Sequence, residues 1–158
     1  MSEQHRRFTV TAIGVVRRVG LPDAATSAPA GSFDPCAESL IEIYPEWAAG
    51  LAGIEGFSHL AVILYLDTFA LRRADEPLAY RLPWLGATRD VGLFGTSSPY
   101  RPNPLVIRYP RLLGRSHNVL RVSGLSIGAD TVVLDVLGQS SSDRACRGFA
   151  ARPRFRFL

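Results

Sequence analysis

Short runs rich in Val, Ile and Thr, Gly, Pro and Asp turns between them, and almost no helical periodicity predict an all-β fold. The reading is a small antiparallel β-barrel (or sandwich) of about six strands with one or two short helices. At 158 residues the chain is long enough for one ordinary hydrophobic core and is read as a single domain spanning 1–158. No internal repeat is visible.

Residues 8–18, rich in Thr, Val and Ile with Gly14 interrupting, read as a first strand with a bulge. Residues 20–35 collect Pro, Ala, Gly, Ser and Asp without periodicity and read as a long surface loop, of the kind that forms lids or binding elements. Residues 40–44 predict a short strand. Pro45 then suits the first position of a helix that has Glu46 in its first turn and Gly50 or Gly53 at its end. Trp47 and Leu51, four apart, are expected on one core-facing side of that helix.

Residues 57–69 are the most apolar segment and read as a strand buried on both sides, too short to cross a bilayer. His59 enters it and Asp67 leaves it. With no second histidine nearby no metal site is expected, and His59 is either a hydrogen-bonded structural residue or a catalytic base. Asp67 either accepts hydrogen bonds from a ligand or caps the following turn. Residues 71–89 form a charged, proline-punctuated connection carrying Tyr80 and Trp84, which stack a base or cover a contact. Strands follow at 90–96, 105–113, 119–127 and 131–137. Pro110 implies an edge or bulge in the second of these, residues 114–118 and 128–130 are turns, and Val132, Leu134 and Val136 alternate in the last.

The stretch between the strands at 90–96 and 105–113 is the most informative. Pro99, Pro102 and Pro104 fix φ near −65° and push Ser98, Arg101 and Asn103 toward extended geometry. The guanidinium of Arg101 and the amide of Asn103 are thereby presented with little entropy left to lose. An arginine fork suits a carboxylate or phosphate and an asparagine amide suits a base edge, so an anionic or nucleoside-bearing ligand fits. The alternative is that Arg101 braces the loop against backbone carbonyls.

Net charge is +4, with every basic residue an arginine, and charge by itself is a weak argument for nucleic acid. Arg144, Arg147, Arg152, Arg154 and Arg156 crowd the C-terminal stretch, where the alternation Arg154-Phe155-Arg156-Phe157 predicts a terminal strand with an arginine-bearing outer face. Cys36 and Cys146 have no metal-ligand spacing and read as reduced thiols of a cytoplasmic protein, with a lone bridge between them as the alternative. The charged first seven residues carry no apolar export signal. Dinucleotide, Walker, nucleophile-elbow and zinc-protease motifs are all missing.

Residues 91–105, Val-Gly-Leu-Phe-Gly-Thr-Ser-Ser-Pro-Tyr-Arg-Pro-Asn-Pro-Leu, resemble the signature G-x-F-A-T-R-S-P-x-R-P-N-P-I of the TsaA-like family. Glu42-Ile43 with residues 50–62, which include Phe57-Ser58-His59, resemble its upstream block. Weaker similarity at 12–15 and 131–135 extends the match over most of the chain. The resemblance implies a small β-barrel methyltransferase that uses S-adenosylmethionine, commonly as a homodimer. The best-known members act on N6-threonylcarbamoyladenosine in tRNA, and a small-molecule acceptor is the alternative.

Carried over by position, the resemblance implies donor contacts from Pro29, Leu66, Thr96, Ser97, Ser98, Arg101, Asn103, Ile107, Asp130, Thr131 and Val132. His59, Asp67 and Asp135 are its candidate bases. Two departures stand out. Ser97 replaces the signature arginine, with Arg89 and Arg108 the nearby cations that could compensate, and Val136-Leu137-Gly138-Gln139 replaces the family's Lys-Pro-Tyr after Asp135. The chain is also expected to lack the additional C-terminal domain of longer bacterial members. Besides a methyltransferase, a silent nucleoside-binding module and a cofactor-free RNA-binding barrel remain open.

Overall fold

The computed structural model describes residues 7–19, 36–67, 77–81, 90–96 and 101–139. Its strands are β1 (Gly14–Arg18), β2 (Glu38–Ile43), β3 (His59–Tyr65), β4 (Ala79–Arg81), β5 (Asp90–Gly92), β6 (Leu105–Arg108), β7 (Arg111–Ser116), β8 (Val119–Ser123) and β9 (Val132–Gln139). All pairings are antiparallel. β3 pairs with β9, β9 with β1, β1 with β2, β2 with β8 and β8 with β7. β7 returns to β3 where Arg111 meets His59, closing a six-stranded barrel. β6 lies on the same edge of β3 as β7, while β4 and β5 form a separate two-stranded sheet.

The segment expected as one strand over 105–113 is thus two strands along one barrel edge. The break falls at Tyr109-Pro110, where proline has no N–H for the ladder. Pro110 is fully buried, and its carbonyl still accepts from Leu60 N at 3.0 Å. The expected irregularity appears three residues on, as a register shift between Leu112 and Gly114.

The barrel interior is filled. Val16, Ile41, Leu60, Val62, Leu64, Leu120, Val122 and Val133 have no exposed surface and form one cluster with Ile43, Leu51, Ile54 and Leu125. Gly14 allows β1 to approach β2, since a Cβ there would overlap the Glu42 carbonyl oxygen and crowd Ile43.

Several expectations are corrected. The helix opened by Pro45 is a 3₁₀ helix, Pro45–Leu51. At three residues per turn, positions four apart diverge by about 120°, so Leu51 is buried while Trp47 is 46% exposed. The first strand begins only at Gly14, and the strand expected over 90–96 ends at Gly92, followed by a 3₁₀ turn, Leu93–Gly95. The turn expected over 114–118 is narrower, because β7 runs to Ser116. β4 lies inside the stretch read as a connection. The alternation expected in the last strand is broken by a bulge: Leu64 faces Val133 and Ile63 faces Asp135, so Leu134 has no partner on β3 and Val133 takes the core position. Trp84, Cys146, the loop over 20–35 and the arginine-rich C-terminal stretch lie outside the described residues.

Candidate functional site

β3 organises the candidate residues. Tyr65 lies between Leu105 on β6 and Val132 on β9, and Ile63 lies between Ile107 and Asp135. Cross-strand partners share a face. Because Val62 and Leu64 alternate with these residues and are wholly buried, the rows Leu105–Tyr65–Val132 and Ile107–Ile63–Asp135 face out of the barrel. Leu105 and Ile107 are 40% and 49% exposed. At the end of β3, Leu66 N donates to the Pro104 carbonyl at 2.9 Å, which docks the proline loop beside this face, and exposed Asp67 follows.

The loop is anchored by Leu93, 1% exposed, whose N–H donates to the Leu78 carbonyl at 2.7 Å. The Thr96 hydroxyl donates back to the Leu93 carbonyl at 2.8 Å. Arg101 Nη1 donates to the carbonyls of Thr96 (3.0 Å) and Leu93 (3.3 Å), and its guanidinium carbon sits 5.4 Å from the centre of the Phe94 ring. Arg101 therefore braces the loop with one of its nitrogens. Phe94 is 76% exposed beside it, and the Asn103 side chain is exposed two residues on. Backbone closure by Leu105 N on the Asn103 carbonyl, at 2.7 Å, fixes the turn that presents that amide.

Leu66, Asp67, Asn103, Ile107, Val132 and Asp135 are thus gathered on one outer face and its rim, with Thr96 and Arg101 joined through the loop. Thr131 lies at the same rim; its hydroxyl closes the turn on the Gly128 carbonyl at 2.8 Å and its own carbonyl accepts from Val16 N. Asp130 points elsewhere. Its carboxylate accepts from Arg17 Nη1 at 2.6 Å, and Arg17 also reaches Glu42 at 3.0 Å. Glu42 first and Asp130 second push the Arg17 guanidinium up. Asp135 accepts from Val136 N at 2.8 Å, stabilising the bulge.

His59 is not gathered with them. It starts β3, pairs in register with Arg111 and Gln139, and its Nδ1 lies 3.0 Å from Ser58 Oγ. Six steps along β3, about 20 Å, separate it from Tyr65, and Asp67 lies beyond that end. Pro29, Ser97 and Ser98 lie outside the described residues. Tyr65, Leu105 and Phe94 complete the surface and had not been singled out. The alternation of outward Leu105 and Ile107 with inward Val106 and Arg108 was the available signal. Among the described residues no group of His, Cys, Asp and Glu could hold a metal ion, and no helix is long and apolar enough to cross a membrane.

Comparison with known proteins places these features in context. A family profile described as the tRNA-methyltransferase O N-terminal domain matches residues 23–138. A probable S-adenosyl-L-methionine-binding protein of Archaeoglobus fulgidus is 39% identical over 102 residues, 65% of this chain and 26% of that protein. Another, from Methanothermobacter thermautotrophicus, is 32% identical over 124 residues, 78% of this chain and 84% of that protein. The chain spans only about a quarter of the first relative's length. The crystal structure of TrmO from Pseudomonas aeruginosa superposes with a TM-score of 0.63 at 20% identity, covering 97% of this chain and 64% of that one, a likeness of fold.

Proposed function

This chain belongs to the tRNA-methyltransferase O N-terminal domain family, and from that premise we propose that it is an S-adenosylmethionine-dependent methyltransferase whose donor site is the rim between the proline loop and the outer face of β6, β3 and β9. The observation that carries the reading is the register of β3, which sets Leu66 and Asp67 beside Pro104 and Asn103 and lines up Ile107 and Asp135 across Ile63. The residues present fit such a donor. Adenine needs an apolar or aromatic surface and an amide for its edge, which Ile107, Leu105, Phe94 and Asn103 supply. Ribose hydroxyls and an ammonium need acceptors, and Asp67 is exposed at the rim.

When bound, the donor supplies an activated methyl on a sulfonium. Arg101 ties Leu93 and Thr96 to its own side of the proline loop through their two carbonyls, so these flanking residues need little further ordering. Alignment at near-attack distance is the main demand of an in-line displacement. Asp67 is the group at the rim that could take a proton from the acceptor, whereas Asp135 is engaged with the backbone and His59 is remote. The acceptor proposed is N6-threonylcarbamoyladenosine of tRNA, with a small metabolite as the alternative. The exposed apolar face also supports a homodimer, and a cytoplasmic, single-domain protein is the accompanying proposal.

Thermal shift with S-adenosylmethionine, S-adenosylhomocysteine and bulk tRNA tests the reading. Stabilisation by both nucleosides is expected, about 2.7 kcal/mol at a hundredfold excess over Kd. Labelled methyl transfer to bulk tRNA then separates an enzyme from a silent binding module, and stabilisation by RNA alone contradicts the proposal.

A further inference from the structure

A hollow of about 420 Å³ lies beyond the last residue of β2, between the 3₁₀ helix Pro45–Leu51 and the hairpin that joins β7 to β8. Pro45, Ala48, Ala49, Arg115, His117 and Asn118 line it. β2 stands three strands from β3 in either direction round the barrel, so the hollow is on the side away from the proposed donor rim. Its size is that of a small-molecule site. One wall is small and apolar: Pro45, Ala48 and Ala49 bring no flexible side chain that binding would have to order.

The facing wall is polar and fixed. Arg115 Nε donates to the His117 carbonyl at 2.6 Å, and its Nη1 donates to the Leu51 carbonyl and to Glu55 Oε1, each at 3.0 Å. The N–H groups of Nη2 take no part in these bonds. Asn118 Nδ2 donates to the Ile43 carbonyl, which sets the plane of its amide and leaves Oδ1 as its acceptor. Glu55 offsets the charge of Arg115, so the lining favours a neutral group with hydrogen-bonding atoms over an isolated anion. His117 holds φ at +54°, a left-handed backbone that glycine adopts freely and other residues at a cost. The chain keeps an imidazole where glycine would relieve the hairpin, and outliers of this kind gather at binding sites.

We propose that this hollow is a second site, for a nucleobase, which rests on the Pro45, Ala48 and Ala49 wall, stacks on the His117 ring and shares its edge with Arg115 Nη2 and Asn118 Oδ1. A base combines a flat apolar face with an edge that carries both donors and acceptors, the complement of this lining. It arrives on a free nucleotide or as an unpaired residue of an RNA strand.

Amide chemical-shift mapping and calorimetry on the full chain decide. The probes are the common ribonucleoside 5′-monophosphates, a single-stranded oligoribonucleotide of mixed sequence, and ribose 5-phosphate, which has no base. Base-bearing probes are expected to shift the amides of Ala48, Ala49, His117 and Asn118, and ribose 5-phosphate is not. His117→Gly removes the ring and relieves the backbone, so it is expected to melt at or above the wild type and to bind about tenfold more weakly. Binding of the mononucleotides assigns a free nucleotide, and binding of the oligoribonucleotide alone assigns an RNA strand. The proposal is overturned if base-bearing probes leave these amides unmoved, if ribose 5-phosphate moves them as strongly, or if His117→Gly binds as the wild type does. Should His117→Gly fail to fold, Ala49→Leu, which fills the hollow, decides in its place by the same two results. None of the probes carries a sulfonium or an amino-acid group, so the outcome is independent of the methyltransferase reading.

Discussion

Two outer faces of the same barrel solve opposite problems. On β1, β2 and β8, outward charges meet opposite ones: Arg17 reaches Glu42 and Asp130, and Arg121 lies 4.0 Å from Glu38. On β6, β3 and β9, Leu105, Ile107 and Leu137 are 40%, 49% and 44% exposed, and Asp135 is spent on its own backbone. The first face is solvated and self-compensated, so it needs no partner, and its exposed pairs add little stability. The second leaves large apolar side chains in water beside Arg101 and its carbonyl partners, the pattern of a surface that something else covers.

Substitutions that act on one face only would break or sharpen this contrast. The largest effect is expected from Ile107→Asp, which places a charge on the proposed adenine surface. Calorimetry should find S-adenosylhomocysteine affinity weakened by about 2–3 kcal/mol, whereas Arg121→Gln leaves it unchanged. Arg101→Ala removes the brace on the Leu93 and Thr96 carbonyls, and calorimetry should record a loss of roughly 1.5–3 kcal/mol in S-adenosylhomocysteine affinity. Gly14→Ala does the reverse: urea unfolding should lose about 1–3 kcal/mol from overpacking against Glu42. Gly114→Ala, with open space around it, should lose far less.

Asn103→Ala should cost about 0.5–1.5 kcal/mol in binding and leave the melting temperature unchanged. The smallest effect concerns Glu55, whose carboxyl is held below the usual range first by its own backbone N–H and then by Arg115, 3.0 Å away. Its contribution is fully present above the ordinary glutamate value and is lost as pH falls through the lowered folded value. Glu55→Gln should therefore flatten the acid limb of a stability–pH profile, with no change at neutral pH in the response to ligand.

Much of this was legible in the residues. The barrel class followed from β-branched runs and turn chemistry, and the proline loop announced itself through three fixed φ angles. Geometry that depends on counting was harder to read. Trp47 faces water because seven residues wound three to a turn, a choice that propensity does not reveal. Leu134 lost its place to a bulge in β9, visible only once the pairing with β3 is known, and β4 is three residues long, too short for alternation to register. The site was half legible. Asn103 and Arg101 stood out by their prolines, but the bracing of Arg101 on two carbonyls, the remoteness of His59 and the diversion of Asp130 to Arg17 arise from cross-strand register.

Amide chemical-shift mapping during titration with S-adenosylhomocysteine tests the assignment of the rim most directly. Perturbations concentrated at Leu66, Asp67, Asn103, Leu105, Ile107 and Val132, with Arg17, Glu42 and Arg121 silent, are the predicted result. Perturbations centred on the charged face, or none at saturating ligand, would contradict it.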